Sequence, residues 1–113
     1  MASTVFADEA VRLRDEAGLT DAMIARATGA APSTVRDWLA GRSAPTGGRA
    51  ERMGELAAVV DRLARVMDVG YVPVWLIRPI EALDDHKPVD LIARGQYRRV
   101  LKLIAGLEDQ GAA

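Results

Sequence analysis

The chain has 113 residues, half of them hydrophobic, with 15 basic and 16 acidic side chains, a net charge of −1 and no cysteine. That is room for one small domain or two very small helical units with a packed core, and it excludes disulfides and thiolate metal sites. No apolar run approaches the roughly 20 residues that cross a bilayer, and the N-terminal M-A-S-T-V-F-A-D-E-A carries early acids without a basic region or cleavage pattern, which predicts a cytoplasmic protein that is not secreted. A free-standing DNA-binding domain usually carries a basic footprint. With a net charge of −1, any DNA contact has to come from a local cluster or from doubling in a dimer.

The pattern is helical throughout. Phe6, Ala10, Leu13 and Ala17 lie on one face of a first helix that stops at Gly18. Thr20 suits the N-cap of a second helix, because its hydroxyl can accept from a free backbone N–H; that helix ends at Thr28-Gly29. Pro32 and Ser33 open a third, where the missing N–H of proline costs nothing, and Gly41 closes it as a left-handed cap. Ala25, Gly29, Val35 and Trp38 meet the demands of a helix-turn-helix: a small residue at the crossing, a glycine at the turn, and inward residues on the second helix. The flanking R-L-R-D-E-A-G-L-T and W-L-A-G-R-S-A-P resemble bacterial Xre-type regulators over about Val11 to Pro45. The resemblance implies that the second helix enters the major groove through its outward residues, here Ala31, Ser33, Thr34, Arg36 and Asp37. Arg36 is then placed for a bidentate contact to guanine, and Arg42 and Arg49 for phosphates. Asp21 stands where that family usually carries a phosphate-contacting glutamine, and Asp37 also weakens the positive face.

Ser43 to Gly48 reads as a linker, dividing the chain into a helix-turn-helix domain, 1–45, and a second unit, 46–113. A long helix is expected from about Arg49 to Val69. Met53, Leu56, Val60, Leu63 and Met67 form an a/d stripe along it, widened by Val59 and Val66. The stripe predicts a homodimer seam, since closed two-fold symmetry is the commonest solution. Gly70 and Pro73 break that helix, and Val74 to Ile77 forms a short apolar turn closed by Pro79. Pro88 to Arg94 is a short helix stopped by Gly95. From Gln96, the residues Tyr97, Val100, Leu101, Leu103, Ile104 and Leu107 form a broad apolar face, with Arg98, Arg99 and Lys102 opposite.

Trp75-Leu76, then Pro88-Val89-Asp90-Leu91-Ile92-Ala93-Arg94-Gly95, then Val100 and Leu103, together with Pro79 and Leu83, resemble the toxin-binding domain of the MbcA/ParS/Xre antitoxin family. The match runs from roughly Asp61 to the end. It implies an all-α antitoxin, an Xre-like helix-turn-helix bundle followed by a small helical toxin-binding domain, that covers the active-site mouth of a RES-domain toxin, an enzyme that degrades NAD. Candidate toxin contacts are Arg94, Gln96, Tyr97, Arg98, Arg99 and Lys102. Ile104 and Leu107 are expected to dock at the pocket rim, and Glu108, Asp109 and the terminal carboxylate to meet the toxin's phosphate site. The partners expected are the cognate toxin, a second copy, a larger toxin–antitoxin assembly and operator DNA. The alternative is a stand-alone Xre-like transcriptional regulator whose second half only dimerises. Asp84-Asp85-His86 reads as a solvated turn before Pro88 rather than a metal site. His86 has no visible partner for acid/base work and Ser33 and Ser43 have no adjacent histidine, so neither enzyme activity nor a cofactor is expected.

Overall fold

The computed structural model describes the backbone of residues 2–112 and the side chains of residues 7–110. The fold is all-α: α1 (Ala2–Asp15), α2 (Asp21–Thr28), α3 (Pro32–Leu39), α4 (Gly47–Leu63), α5 (Val72–Leu76), α6 (Pro88–Ala93) and α7 (Tyr97–Ala112), with single 3-10 turns at Val69–Tyr71 and Glu81–Leu83. Ala10, Leu13 and Ala17 are buried on the inner side of α1 and the turn after it. The side chain of Phe6 and the terminal carboxylate lie outside the described residues.

Helix ends follow local chemistry. The Thr20 hydroxyl accepts from Met23 N–H at 3.1 Å. Gly29 takes φ 76° and returns its N–H to the Ala25 carbonyl, a left-handed cap that a Cβ would strain. Pro32 opens α3. Buried Thr28 meets no unsatisfied penalty, because its hydroxyl donates to the Ile24 carbonyl at 2.8 Å.

The centre of the molecule is α4, which packs against α1, α2, α6 and α7. This corrects the expected dimer seam. Met53, Leu56, Val60 and Leu63 are fully buried inside the monomer, as is Val59, and Met67 is half-buried against the same core. Glu51, Gly54, Ala58 and Asp61 face solvent on the opposite side, so the apolar stripe is the face spent on the monomer's own core and is not available to a second subunit. The helix also ends six residues early. Beyond Leu63 the backbone tightens to Arg65 N–H→Arg62 and Val66 N–H→Leu63 bonds, and the chain turns back through Asp68, whose carboxylate accepts from Gly70 N–H at 3.3 Å. The apolar turn at Val74–Ile77 is the end of a five-residue helix opened by Val72 and Pro73.

Nor is there a break in packing at residue 45. Pro45 is buried in the expected linker, α2 lies directly on α6, and one hydrophobic cluster runs from Ala10 to Ile104. Arg26 of α2 closes the seam with a bidentate pair to Asp90 of α6, at 2.5 and 3.0 Å, the strong geometry for guanidinium and carboxylate. Arg12 on α1 reaches Asp61 on α4 at 2.7 Å. Asp84 and Asp85 are turn residues at φ 57° and 63°, left-handed values that aspartate tolerates. They close the loop between the single bridge partners Ile80 and His86, and Asp84 also accepts from Arg99 at 2.8 Å.

Candidate functional site: two interaction faces

The first face is the helix-turn-helix. Ala25 is buried where α2 crosses α3, and Val35 and Trp38 are buried beneath α3. With those two pointing inward, the 3.6-residue period turns Ser33 and Arg36 to solvent and leaves Thr34 and Asp37 half-exposed. Ala31 precedes them as an exposed N-cap without a side-chain cap bond. Arg36 makes no ion pair among the described residues, and lines a shallow pocket of about 340 Å³ with Arg14, Asp21, Leu39 and Ala40. Asp21 shares that pocket with both arginines, and since Arg14 also pairs with Asp15 at 3.2 Å, the local charge is balanced rather than basic. Arg42 is less free than the sequence implied, since it pairs with Asp37 at 3.1 Å and each softens the other's charge. Arg49, exposed on the first turn of α4 and outside any ion pair among the described residues, lines a different cleft of about 530 Å³ with Thr28, Gly29, Thr46, Gly48, Arg52 and Ala93. The structure groups Ser33, Thr34 and Arg36 on α3, and sets Arg49 apart from them.

The second face is built by α6 and α7. Val100 and Ile104 are fully buried and Tyr97, Leu101, Leu103 and Leu107 pack half-buried against the core. Ile104 is thus a core residue and not an exposed rim anchor: the α7 face is broad because it rests on α4, α6 and the turn at Glu81–Leu83 together. Arg94, Gln96, Arg98 and Lys102 are exposed. Arg99 is half-buried, held between Asp84 and Gln96, whose carbonyl oxygen it meets at 3.0 Å. Between α7 and the 3-10 turn runs a groove of about 430 Å³ lined by Ala82, Leu83, Arg99, Lys102 and Leu103. It has an aliphatic floor and two basic residues at its edge, of which Arg99 is paired with Asp84 and Lys102 makes no ion pair among the described residues. Gly95 turns the chain into α7 at φ 78°, a left-handed value that favours glycine; a Cβ there would come within 3.1 Å of the Arg52 guanidinium, the movable end of a long side chain.

The acidic end is only partly free. Glu108 accepts from Nε and Nη2 of Arg62 on α4, one donor to each carboxylate oxygen, and Asp109 is exposed. That hydrogen bond is the main cause holding the Glu108 carboxyl below its ordinary value of 4.5, with Arg62 and Arg65 adding positive charge nearby. A group whose folded value is lowered stabilises the fold above the unfolded value and loses that contribution as pH falls through the folded one. Wild type is therefore expected to be more stable than Glu108→Gln at neutral pH, with the gap closing as the solution is acidified below 4.5. Acid titration of both chains by tryptophan fluorescence checks it, and a gap independent of pH would show that the pair does not form.

Sequence reasoning missed two features. Arg26, read only as a helix residue, clamps α2 to α6. Val69, Tyr71, Val74 and Ile77 are the exposed large hydrophobics among the described residues; the signal was an apolar run too long for a simple turn.

Residues 12–56 match a family model described as helix-turn-helix. Curated proteins named mycobacterial cidal antitoxin MbcA, from Mycobacterium tuberculosis and Mycobacterium bovis, are 37% identical over 92 residues, 81% of this chain and 81% of theirs. A chain in the crystal structure of the M. tuberculosis MbcT-MbcA toxin-antitoxin complex superposes with a TM-score of 0.82 at 34% identity, covering 94% of this chain and 96% of that one.

Proposed function

The chain belongs to the MbcA antitoxin family, and from that premise we propose that it holds a RES-domain, NAD-degrading toxin inactive by laying its α6–α7 face across the mouth of the toxin's active site. The observation that carries the reading is the fold correspondence, which runs through both halves of the chain to a partner-bound relative. Contact falls on the residues that α7 and its entry turn leave exposed: Arg94, Gln96, Arg98 and Lys102, with Tyr97 and Leu107 half-buried behind them. Because Glu108 is engaged with Arg62, the acid at this end left to approach a phosphate site among the described residues is Asp109. The protein is a binder in this reading, and it acts in the cytoplasm without a cofactor. Among the described residues no helix is long and apolar enough to cross a membrane.

The same chain reads its operator through α3. Ser33 and Arg36 share the exposed side of that helix with Thr34 at its flank, and Arg36 makes no ion pair among the described residues, which supports base contact. Arg42 and Arg49 serve phosphates. Arg36→Ala is expected to cost about 1–3 kcal/mol in promoter binding and to relax base preference; salt-controlled titration of wild-type and variant toxin complexes measures it. Unchanged binding would move the reading surface elsewhere.

The deciding experiment is co-expression of the full chain with the RES-domain protein of the neighbouring gene, followed by co-purification and assay of NAD turnover. Capture with loss of turnover is expected. Tight, sequence-specific DNA binding by a chain that captures no toxin would instead establish the stand-alone regulator.

A further inference from the structure

From Leu91 to Leu107 the chain carries four basic side chains, Arg94, Arg98, Arg99 and Lys102, and no acid, its longest stretch without one. The fold sharpens this local charge. The acids that bracket the stretch are both spent on arginines from elsewhere, Asp90 on Arg26 of α2 and Glu108 on Arg62 of α4. Asp84 reaches back only to Arg99. Arg94, Arg98 and Lys102 are left exposed and outside any ion pair among the described residues. Placement adds to the effect. Arg98 and Arg99 stand in the first turn of α7, which contains no acid, although the aligned peptide dipoles make that end of a helix positive and favour anions there. Their charges work against the helix, and a local rule broken on an exposed face points to function rather than folding.

We propose, resting on the antitoxin reading above, that this strip docks an acidic protein surface: the rim of the toxin's mouth is acidic where it meets Arg94, Arg98 and Lys102, and electrostatic steering draws the antitoxin onto it. Arg98 and Lys102 lie one turn apart on the same side of α7, and Asp109 follows two turns further along that side. The stripe runs from positive to negative along the helix, so it sets the direction in which α7 lies: cations on the acidic rim, Asp109 toward the toxin's phosphate site. The remainder of the chain has more acids than bases, and an acidic rim repels it there and selects this face. A protein surface is favoured over nucleic acid by the groove beside Lys102, whose aliphatic floor of Ala82, Leu83 and Leu103 seats an apolar side chain and offers nothing to a phosphate.

The test mixes the full chain with separately purified RES-domain toxin and follows the loss of NAD turnover with time, which gives the association rate; recovery of turnover on dilution gives the dissociation rate. The wild-type association rate should fall about tenfold or more between about 0.05 and 0.5 M salt, because screening removes steering between exposed charges. Arg94→Gln, Arg98→Gln and Lys102→Gln together should slow association at low salt about tenfold and flatten its salt dependence, while the dissociation rate changes far less. None of the three makes an ion pair among the described residues, so the triple variant should keep the wild-type circular dichroism spectrum. Should it lose that spectrum, Arg98→Gln alone decides, with association slowed about threefold at low salt. Association indifferent to salt, or a folded variant that associates as fast as wild type at low salt, overturns the proposal and leaves the antitoxin reading standing. A wild-type chain that captures no toxin at any salt overturns both. A triple variant that captures toxin normally but loses operator DNA gives the strip to nucleic acid, and also overturns it.

Discussion

Leu63→Asp is expected to unfold the chain rather than to split a dimer. Leu63 is fully buried at the end of α4, the helix against which α1, α2, α6 and α7 pack. Truncating a buried leucine alone costs about 2–5 kcal/mol. A carboxylate in its place adds a desolvation penalty with no described cation to meet it. Small domains are stable by about 5–15 kcal/mol, so this one change takes most or all of the margin. Urea titration followed by circular dichroism should show no cooperative transition, or one shifted almost to zero denaturant. A Leu63→Asp chain that stays folded and merely sediments as a monomer would return α4 to the role of a dimer seam.

The second large effect is expected on the α7 face. Arg98 and Lys102 are exposed, four residues apart, and therefore on one side of the helix. Neither makes an ion pair among the described residues, so reversing both leaves the chain's own bonds intact. Replacing both by glutamate changes the local charge by four units at the edge of the groove lined by Leu83, Lys102 and Leu103. Like charges brought together across an interface cost several kcal/mol. Arg98→Glu with Lys102→Glu should thus keep the wild-type melting profile and lose inhibition of NAD turnover by about a hundredfold. Retained inhibition would place the toxin on another surface.

The helix-turn-helix was legible because its rules are local. Ala25, Gly29, Val35 and Trp38 sit within fourteen positions of one another, and the cap at Thr20 and the turn at Gly29 are each written in a few adjacent residues. The stripe on α4 was legible as apolar but not as to what covers it. Periodicity identifies a greasy face, and only the packing of four other helices shows that the cover is internal. The Arg26–Asp90 clamp spans 64 positions, so no pattern along the chain announces it. The segment at Val69–Ile77 is shorter than the window in which a helical period can be told from a turn. On α7, the sequence separated cations from apolar residues correctly, but could not tell Ile104, which is fully buried, from Leu107, which is half-buried.

Because α2 rests on α6 and is fastened there by Arg26 and Asp90, the helix-turn-helix head is not an interchangeable part. A recombination event that brought in a foreign helix-turn-helix would also have to bring an underside fitted to α6. Separating the chain near Gly47 would not leave a second half that folds alone, since α4 and α6 would lose the α2 surface they pack against. The toxin and operator contacts proposed above would then stand or fall together, because each half is folded on the other.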